Sequence, residues 1–475
     1  MTRKTLKLKT MNTRRKFIKT SLVTAAGFSI IPRHVLGRGF LAPSDKVNIG
    51  IIGTGGRAFG NINDLFKLDD VQITTIADPA NFWGKNILYG RYDTGRGPAK
   101  NLIEAYYSKE TPNYKITEYE DFRLMLEKEK SLDAILCATP DNTHAYVSIV
   151  AMRAGKHVYC EKPLTHNIWE ARKVLEVAKE TKLATQMGNQ MHNLDSLRQT
   201  VEYLRAGAIG KVHEAHSWVG ATRWLPHLDG FPNDISSVPG GFNWDLWLGP
   251  TTWRPFNNAY TPVTWRDFWV FGNGALGDFG CHEMDAATWA FNLQAPESVE
   301  VLPAGNKGSA DIASYGEIGY YHFAANGNQP PLKLTWYSGG LRPPLPEFLA
   351  RENQLRGRGA MFIGEKGIIF NKAGARSNPE IFPESLRNSF VPPAPSLPRT
   401  KGHHREWIDA IKGGPAALSN FEYSARLTEN VLLGVLSLRL GGKKIYWDSV
   451  NMKAKGLPEA DEIIREPVRS GWEMS

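Results

Sequence analysis

Short, almost unbroken apolar runs alternate with amphipathic stretches through the first two hundred residues of the chain. Val47-Asn-Ile-Gly-Ile-Ile52, Val71 to Ala77, Leu132 to Ala138, His157 to Glu161 and Ala184 to Gln190 are the runs. Stretches of helical period lie between several of them, at Tyr119 to Lys130 and Thr143 to Ala154, and a last one runs to Ala206. Runs of this length, apolar on both faces and separated by helices, predict a parallel sheet built from βαβ units. The pattern changes at Gly207 and Gly210. Val212 to Val219 alternates, and Ile318 to Phe323, Leu332 to Tyr337 and Gly359 to Gly364 read as further strands of the same sheet, with Pro- and Gly-rich turns between them. The proline-rich stretch 379–398 predicts a surface excursion. Helical period returns at His403 to Gly414 and at Tyr423 to Leu440. The expected organisation is a leader at 1–45, a dinucleotide-type domain at 46–190, a second domain at 191–450 and a tail at 451–475.

The first strand runs into Gly53-Thr54-Gly55-Gly56-Arg57-Ala58. Gly53 permits a tight turn, Gly55 lets the backbone approach a pyrophosphate, and Ala58 stands where a small residue lets helix pack on strand. The anion would rest on the helix N-terminus, where free N–H groups and the dipole favour negative charge. A glycine turn alone says little, but twenty residues after Ala58 the second strand ends at Asp78, an acid placed for a ribose 2'-hydroxyl. Asp78 repels a 2'-phosphate, so NAD is expected in preference to NADP. Arg57 weighs the other way.

Loops at the C-terminal ends of parallel strands face the ligand crevice. Two carry chemistry here: Thr139-Pro140-Asp-Asn142-Thr-His144 and Glu161-Lys162-Pro163. Farther on, Phe271 to Asp285 contains Asp278 and His282 four residues apart, on one face if the stretch is helical, where the carboxylate could orient the imidazole. A metal site from His282, Glu283 and Asp285 is the competing reading; that ligand set has no known spacing, and no metal is expected. His403 and His404 are adjacent, cannot share a helical face, and read as structural or surface residues.

Taken together, the Gly-x-Gly turn, Ala77-Asp78-Pro79, Thr139-Pro140-Asp-x-x-His144, Glu161-Lys162-Pro163 and Asp278-x-x-x-His282 resemble the Gfo/Idh/MocA oxidoreductases, named for glucose-fructose oxidoreductase and inositol dehydrogenase. The resemblance spans residues 46 to roughly 300. It implies a Rossmann domain followed by an open, largely antiparallel sheet with helices on one face. It also implies a catalytic group of Lys162, Asp278 and His282, and cofactor contacts from residues 53–58, Asp78, Thr139, Pro140, Asn142, His144, Glu161 and Lys162. The chemistry suits the residues, because oxidising a carbinol sends a hydride to the nicotinamide and a proton to a base. The expected activity is NAD-dependent oxidation of a secondary hydroxyl in a sugar, polyol or glycoside. Two alternatives are a redox glycosidase of the NAD-dependent α-N-acetylgalactosaminidase type and a sugar-binding protein without turnover. Nothing in the sequence supplies a dedicated acid for a departing aglycone. By analogy with the family, a homo-oligomer is expected.

Composition changes this picture at one end of the chain. The net charge of +9 suggests an acidic partner, yet residues 1–44 hold ten Lys or Arg and no Asp or Glu. Without them 47 of the 57 basic residues face 48 acidic ones, so nothing argues for nucleic acid. Thr13-Arg14-Arg15-Lys16-Phe17-Ile18-Lys19 followed by the apolar run Ser21 to Ile31 resembles a twin-arginine export signal, too short to span a bilayer. Export by that machinery to the periplasm is the expectation. Cys137, Cys160 and Cys281, an odd count with two in predicted strands, read as small buried residues. Seven of the fourteen tryptophans fall within 218–269, an apparent insertion whose flat rings either stack on sugar faces or pack the loop itself.

Overall fold

The computed structural model describes residues 45–84, 93–305, 308–350 and 355–474. The arginine pair and apolar run of the leader, at residues 1–44, lie outside the described residues. Six strands form the first sheet: β1 (Val47–Ile52), β2 (Val71–Ala77), β3 (Thr117–Tyr119), β4 (Ala134–Cys137), β5 (His157–Glu161) and β6 (Thr185–Gly188). They are parallel and ordered β3-β2-β1-β4-β5-β6. The chain reverses direction across the sheet between β1 and β4, which opens a crevice beyond their C-terminal ends. All four residues of β4 are buried, as expected where helices cover both faces.

Nine strands form the second sheet: β7 (Val212–Val219), β8 (Ser298–Ala304), β9 (Gly316–Phe323), β10 (Leu332–Tyr337), β11 (Arg358–Gly364), β12 (Ile368–Ala375), β13 (Glu380–Phe382), β14 (Ile445–Asp448) and β15 (Lys453–Ala454). Their order is β13-β12-β11-β7-β10-β9-β8-β14-β15, and only β7 and β10 run parallel. The fold is thus a Rossmann sheet followed by an open, largely antiparallel one.

Six helices position the site: α1 (Gly56–Leu65), α2 (Asp141–Arg153), α3 (Ile168–Thr181), α4 (Gly274–Glu283), α5 (His403–Ile411) and α6 (Phe421–Arg439). In α1 the inward residues Ala58, Phe59, Ile62 and Leu65 recur at helical spacing. The sequence reading starts α2 at Thr143; it begins at Asp141, because Pro140 with φ −62° already sets the turn and its carbonyl takes the Thr143 hydroxyl. The predicted helix at 119–130 is shorter, Phe122–Lys128, because Tyr119 ends β3 and the Asp121 carboxylate caps Arg123 N–H at 2.8 Å.

Helix α6 is buried on nearly every side, as its lack of a polar stripe demands. Asn420 caps it, accepting from the N–H groups of Glu422 and Tyr423. It packs against α3 and β6 of the first sheet and against α4 and β8 of the second. At its contact with α4, a Cβ on Gly280 would fall 2.9 Å from a Val431 methyl, so only glycine allows this approach.

Val47 to Ser475 forms one compact unit. Late residues complete the first sheet's packing. Trp407 and Ile408 of α5 sit in the same cluster as Val47, Ile49 and Ile73. His404 stacks on Tyr159 at 4.9 Å and meets Asn61 Oδ1 at 3.2 Å, while His403 Nε2 faces the Met187 carbonyl at 2.9 Å. Both histidines are buried parts of this packing. At the far end, Trp472 is buried against Tyr146 at 4.8 Å, with the Arg123 guanidinium over its ring. Among the described residues no helix is long and apolar enough to cross a membrane.

Candidate active site

A cleft of about 420 Å³ runs from the glycine turn to α4. At one end Gly53 has φ +85°, and a Cβ there would lie 2.7 Å from the Ala138 carbonyl carbon. Gly55 faces open space, with nothing within 4 Å of where a Cβ would stand. No side chain caps the N-terminus of α1, so its first N–H groups remain available for an anion. These observations fit a pyrophosphate cradle. Thr54 and Ala58 do not line the cleft. Ala58 is fully buried against the sheet, and the Thr54 N–H goes to Asp78 at 2.6 Å.

Asp78 borders the cleft and also accepts from the Ala80 N–H at 2.8 Å. Burial pushes its carboxyl above the ordinary range, opposed by those two N–H donors and by the Arg96 charge. The carboxylate therefore shapes the turn as well as bordering the cleft. Asp78→Asn keeps one acceptor and removes the negative charge, and is expected to tighten NADP binding about 10-fold while leaving NAD within a few-fold. Dissociation constants for both nucleotides check this; an unchanged preference would refute the role given to Asp78.

Arg57 and Glu161 form an ion pair, Nε to Oε1 3.2 Å, and the same oxygen accepts from Asn61 at 2.9 Å and Gln190 at 2.8 Å. The carboxylate thus anchors a network under the cleft, and Arg57 is held by it. Thr139, Pro140 and His144 line the wall. Both ring nitrogens of His144 face carbonyl oxygens, Pro163 at 2.7 Å and Thr139 at 2.9 Å, so the ring braces the loop that carries Lys162. Asn142 departs from the sequence reading: it lies off the cleft, donating to the Leu248 carbonyl and Thr251 hydroxyl, both at 3.0 Å. The helix begins earlier than its sequence suggests, and this turns Asn142 toward the insertion.

Lys162, Asp278 and His282 converge at the other end. Lys162 Nζ donates to the Asp278 carboxylate and, at 2.7 Å, to its backbone carbonyl. Burial alone would raise the Asp278 carboxyl; the Lys162 and Arg266 charges overcome it and hold the group well below the usual carboxylate range. The carboxylate is therefore spent on Lys162 and on Arg266, whose Nε is 3.5 Å away. It acts on His282 only through space, which corrects the expectation that it orients the ring. Burial pushes the His282 pKa well below 6.5, reinforced by Lys162 and Arg358. Its Nδ1 is enclosed without a hydrogen bond, which leaves Nε2 as the nitrogen for a ligand. A neutral imidazole beside a fixed ammonium can take a proton from a hydroxyl while the ammonium stabilises the oxygen.

The alternative metal set does not converge. Glu283 pairs with Arg358, and Asp285 is taken by His192 at 2.9 Å, Asn189 at 3.0 Å and Tyr423. Cys137, His144 and Cys160 bring ligand atoms within 4.8 Å of one another, but both ring nitrogens of His144 are turned to backbone carbonyls. The three cysteines are free and buried.

Three of the seven tryptophans of 218–269 pack together: Trp244, Trp247 and Trp265 join Phe242, Phe256 and Tyr260 in one cluster. Trp247 and Trp265, with Trp83 from outside the insertion, also line the cleft and can offer ring faces to a sugar. Asn61, Gln190, Arg266 and Arg358 complete the site without any signal in sequence spacing, and Asp141, within the Thr139-Pro140-Asp-x-x-His144 motif, joins them without having been given a role.

Residues 47–189 match the Gfo/Idh/MocA model described as oxidoreductase family, NAD-binding Rossmann fold, and residues 215–327 match its C-terminal alpha/beta domain. An α-N-acetylgalactosaminidase from Shewanella oneidensis is 24% identical over 231 residues, covering 44% of this chain and 47% of that protein. A levoglucosan dehydrogenase from Pseudarthrobacter phenanthrenivorans is 25% identical over 169 residues, 36% of this chain and 35% of that protein. The chain thus spans half or less of the length of these curated relatives. The WlbA dehydrogenase from Bordetella pertussis, solved with NADH and UDP-GlcNAcA, superimposes with TM-score 0.56 at 16% identity, covering 85% of this chain and 99% of that one. At that identity the likeness concerns the fold.

Proposed function

The chain belongs to the Gfo/Idh/MocA family of NAD-binding oxidoreductases, and from that premise we propose that it moves a hydride between the nicotinamide and a secondary hydroxyl of a sugar, polyol or glycoside. The observation that carries this reading is the meeting of Lys162, Asp278 and His282 in the cleft that begins at the glycine turn. When bound, the nicotinamide supplies the hydride acceptor. His282 Nε2 removes the hydroxyl proton, and the Lys162 ammonium, fixed by Asp278, stabilises the oxygen as it gains charge. Trp247 and Trp265 offer apolar faces for ring C–H groups.

A redox glycosidase is the second reading, and one side chain favours it. Asp141 lines the cleft, and burial raises its carboxyl above the ordinary range against the pull of His144 and Arg266, so it is a candidate acid for a leaving aglycone. The two readings differ in where electrons end. Simple oxidation accumulates NADH and ketone in proportion to turnover; the glycosidase cycle returns the hydride. With candidate glycosides in heavy water we expect net NADH and no deuterium in any released sugar. Aglycone release with deuterium beside the transient ketone and a steady NAD level would replace the first reading with the second.

We also infer export in the folded state through Arg14 and Arg15, a route that suits an enzyme acquiring its dinucleotide in the cytoplasm. A reporter fused to residues 1–45 should stop reaching the periplasm when both arginines become lysine; undiminished export would refute the assignment.

A further inference from the structure

The substrate end of the cleft holds more positive charge than a neutral sugar requires. Arg266, Arg358, Arg376 and Lys162 all line it. Asp278 takes Lys162 and Arg266, and Glu283 takes Arg358. Four cations thus face two carboxylates. A third acid in the wall, Asp141, is pushed toward its neutral form by burial.

The arginines come from the second domain by a specific route. In the antiparallel β11–β12 pair, Ala360 lies opposite Asn371, so the start of β11 at Arg358 meets the end of β12, and Arg376 follows one residue after that end. Glu283 is the last residue of α4, one position beyond His282, and lies behind Arg358 rather than in the cleft wall. A Cβ on Gly374, near the end of β12, would fall 2.8 Å from its Oε2, so this end of the strand lies close against it. Burial pushes the Glu283 carboxyl up to about 6 in spite of Arg358. Glu283 therefore fixes Arg358 and offsets one charge. The exposed Arg376 guanidinium at the rim makes no ion pair among the described residues. An oxidised nicotinamide, if bound at this end, would add another positive charge.

Resting on the carbohydrate reading above, we propose that the sugar substrate carries an anionic group, a carboxylate or a phosphate ester, near the oxidised carbinol, and that Arg358 and Arg376 bind it as a pair. Guanidinium groups present planar forks that match either oxyanion. Arg358, held by Glu283, is the fixed half of the pair. Arg376 at the rim, exposed and acting on Glu283 only through space, is the half that discriminates.

Binding to the NAD-loaded protein, followed by calorimetry, tests this without turnover. The probes are glucose, galactose and N-acetylglucosamine, each compared with its uronate and its 6-phosphate. At least one anionic form is expected to bind about 10- to 100-fold more tightly than its neutral parent. A preference for the uronate identifies a carboxylate, and a preference for the 6-phosphate identifies a phosphate. Arg376→Gln should remove most of that advantage and change neutral sugars less than threefold. Arg358→Gln joined to Glu283→Gln, which leaves no buried unpaired charge, should do the same. Neutral sugars binding as well as their anionic forms, or an anionic advantage that survives Arg376→Gln, overturns the proposal and leaves the oxidoreductase reading intact. Failure of every probe to bind, neutral or anionic, would count against the carbohydrate reading itself.

Discussion

Replacing His282 with alanine should slow hydride transfer by about 10²- to 10⁴-fold, the range expected when a general base is lost. Single-turnover appearance of NADH is the measurement. The ring is suited to this role because burial, then Lys162 and Arg358, lower its pKa, so its neutral form persists through neutral pH. Activity should therefore hold as pH falls from 8 through 6.5 and decline only below that. A low-pH limb at 7 or above, or full activity in the alanine variant, would move proton transfer to another group.

Lys162→Met should be nearly as damaging, for two separable reasons. The hydroxyl oxygen loses its cation, worth about 10²- to 10³-fold in rate by comparison with removal of an oxyanion donor. Asp278, buried, keeps only Arg266 as a cationic partner, so stability falls by about 3 kcal/mol, the lower end for a broken buried pair. The sign of its pH dependence is fixed. A carboxyl whose folded pKa is depressed stabilises above its unfolded value of about 4 and loses that contribution as pH falls toward the folded value. The difference between wild type and variant should accordingly shrink on acidification. Lys162→Met with Asp278→Asn should regain stability in urea unfolding without regaining rate. Recovery of both would reduce Lys162 to a counter-ion for Asp278.

The parts of the site that could be read in advance are those whose chemistry lies within one turn of chain. Gly53 to Ala58 fold on themselves, Asp278 and His282 share a helix, and Lys162 follows a strand end whose position the sheet dictates. Helical spacing located Asp278 and His282 but could not choose the partner of the carboxylate, because Lys162 arrives from 116 residues away. Arg266, Arg358 and Arg376 belong to three separate elements brought together only by the second sheet and the insertion. Asn142 faced the wrong way for a related reason: where Pro140 starts α2 sets which side each following residue occupies. The periodicity of α5 announced an apolar face, but periodicity does not say which core will bury it. The tryptophans between Trp244 and Trp265 show the same limit, since ring count alone cannot separate a self-packed loop from a sugar platform.

That Trp407 and Ile408 lie among the first sheet's core residues, and Trp472 against Tyr146, sets the timetable of synthesis. A nascent chain that has emerged through β6 holds all six strands of the first sheet but leaves the outer surface of α1 and β1 bare for more than two hundred further residues. The patch around Tyr146 waits longer still, until Trp472 has emerged. At about 5 to 20 residues per second this leaves apolar surface open for tens of seconds, the interval in which a chaperone can hold the chain. A chain that stops before Trp472 would differ from one that includes it by an exposed aromatic face around Tyr146 that quality control can recognise.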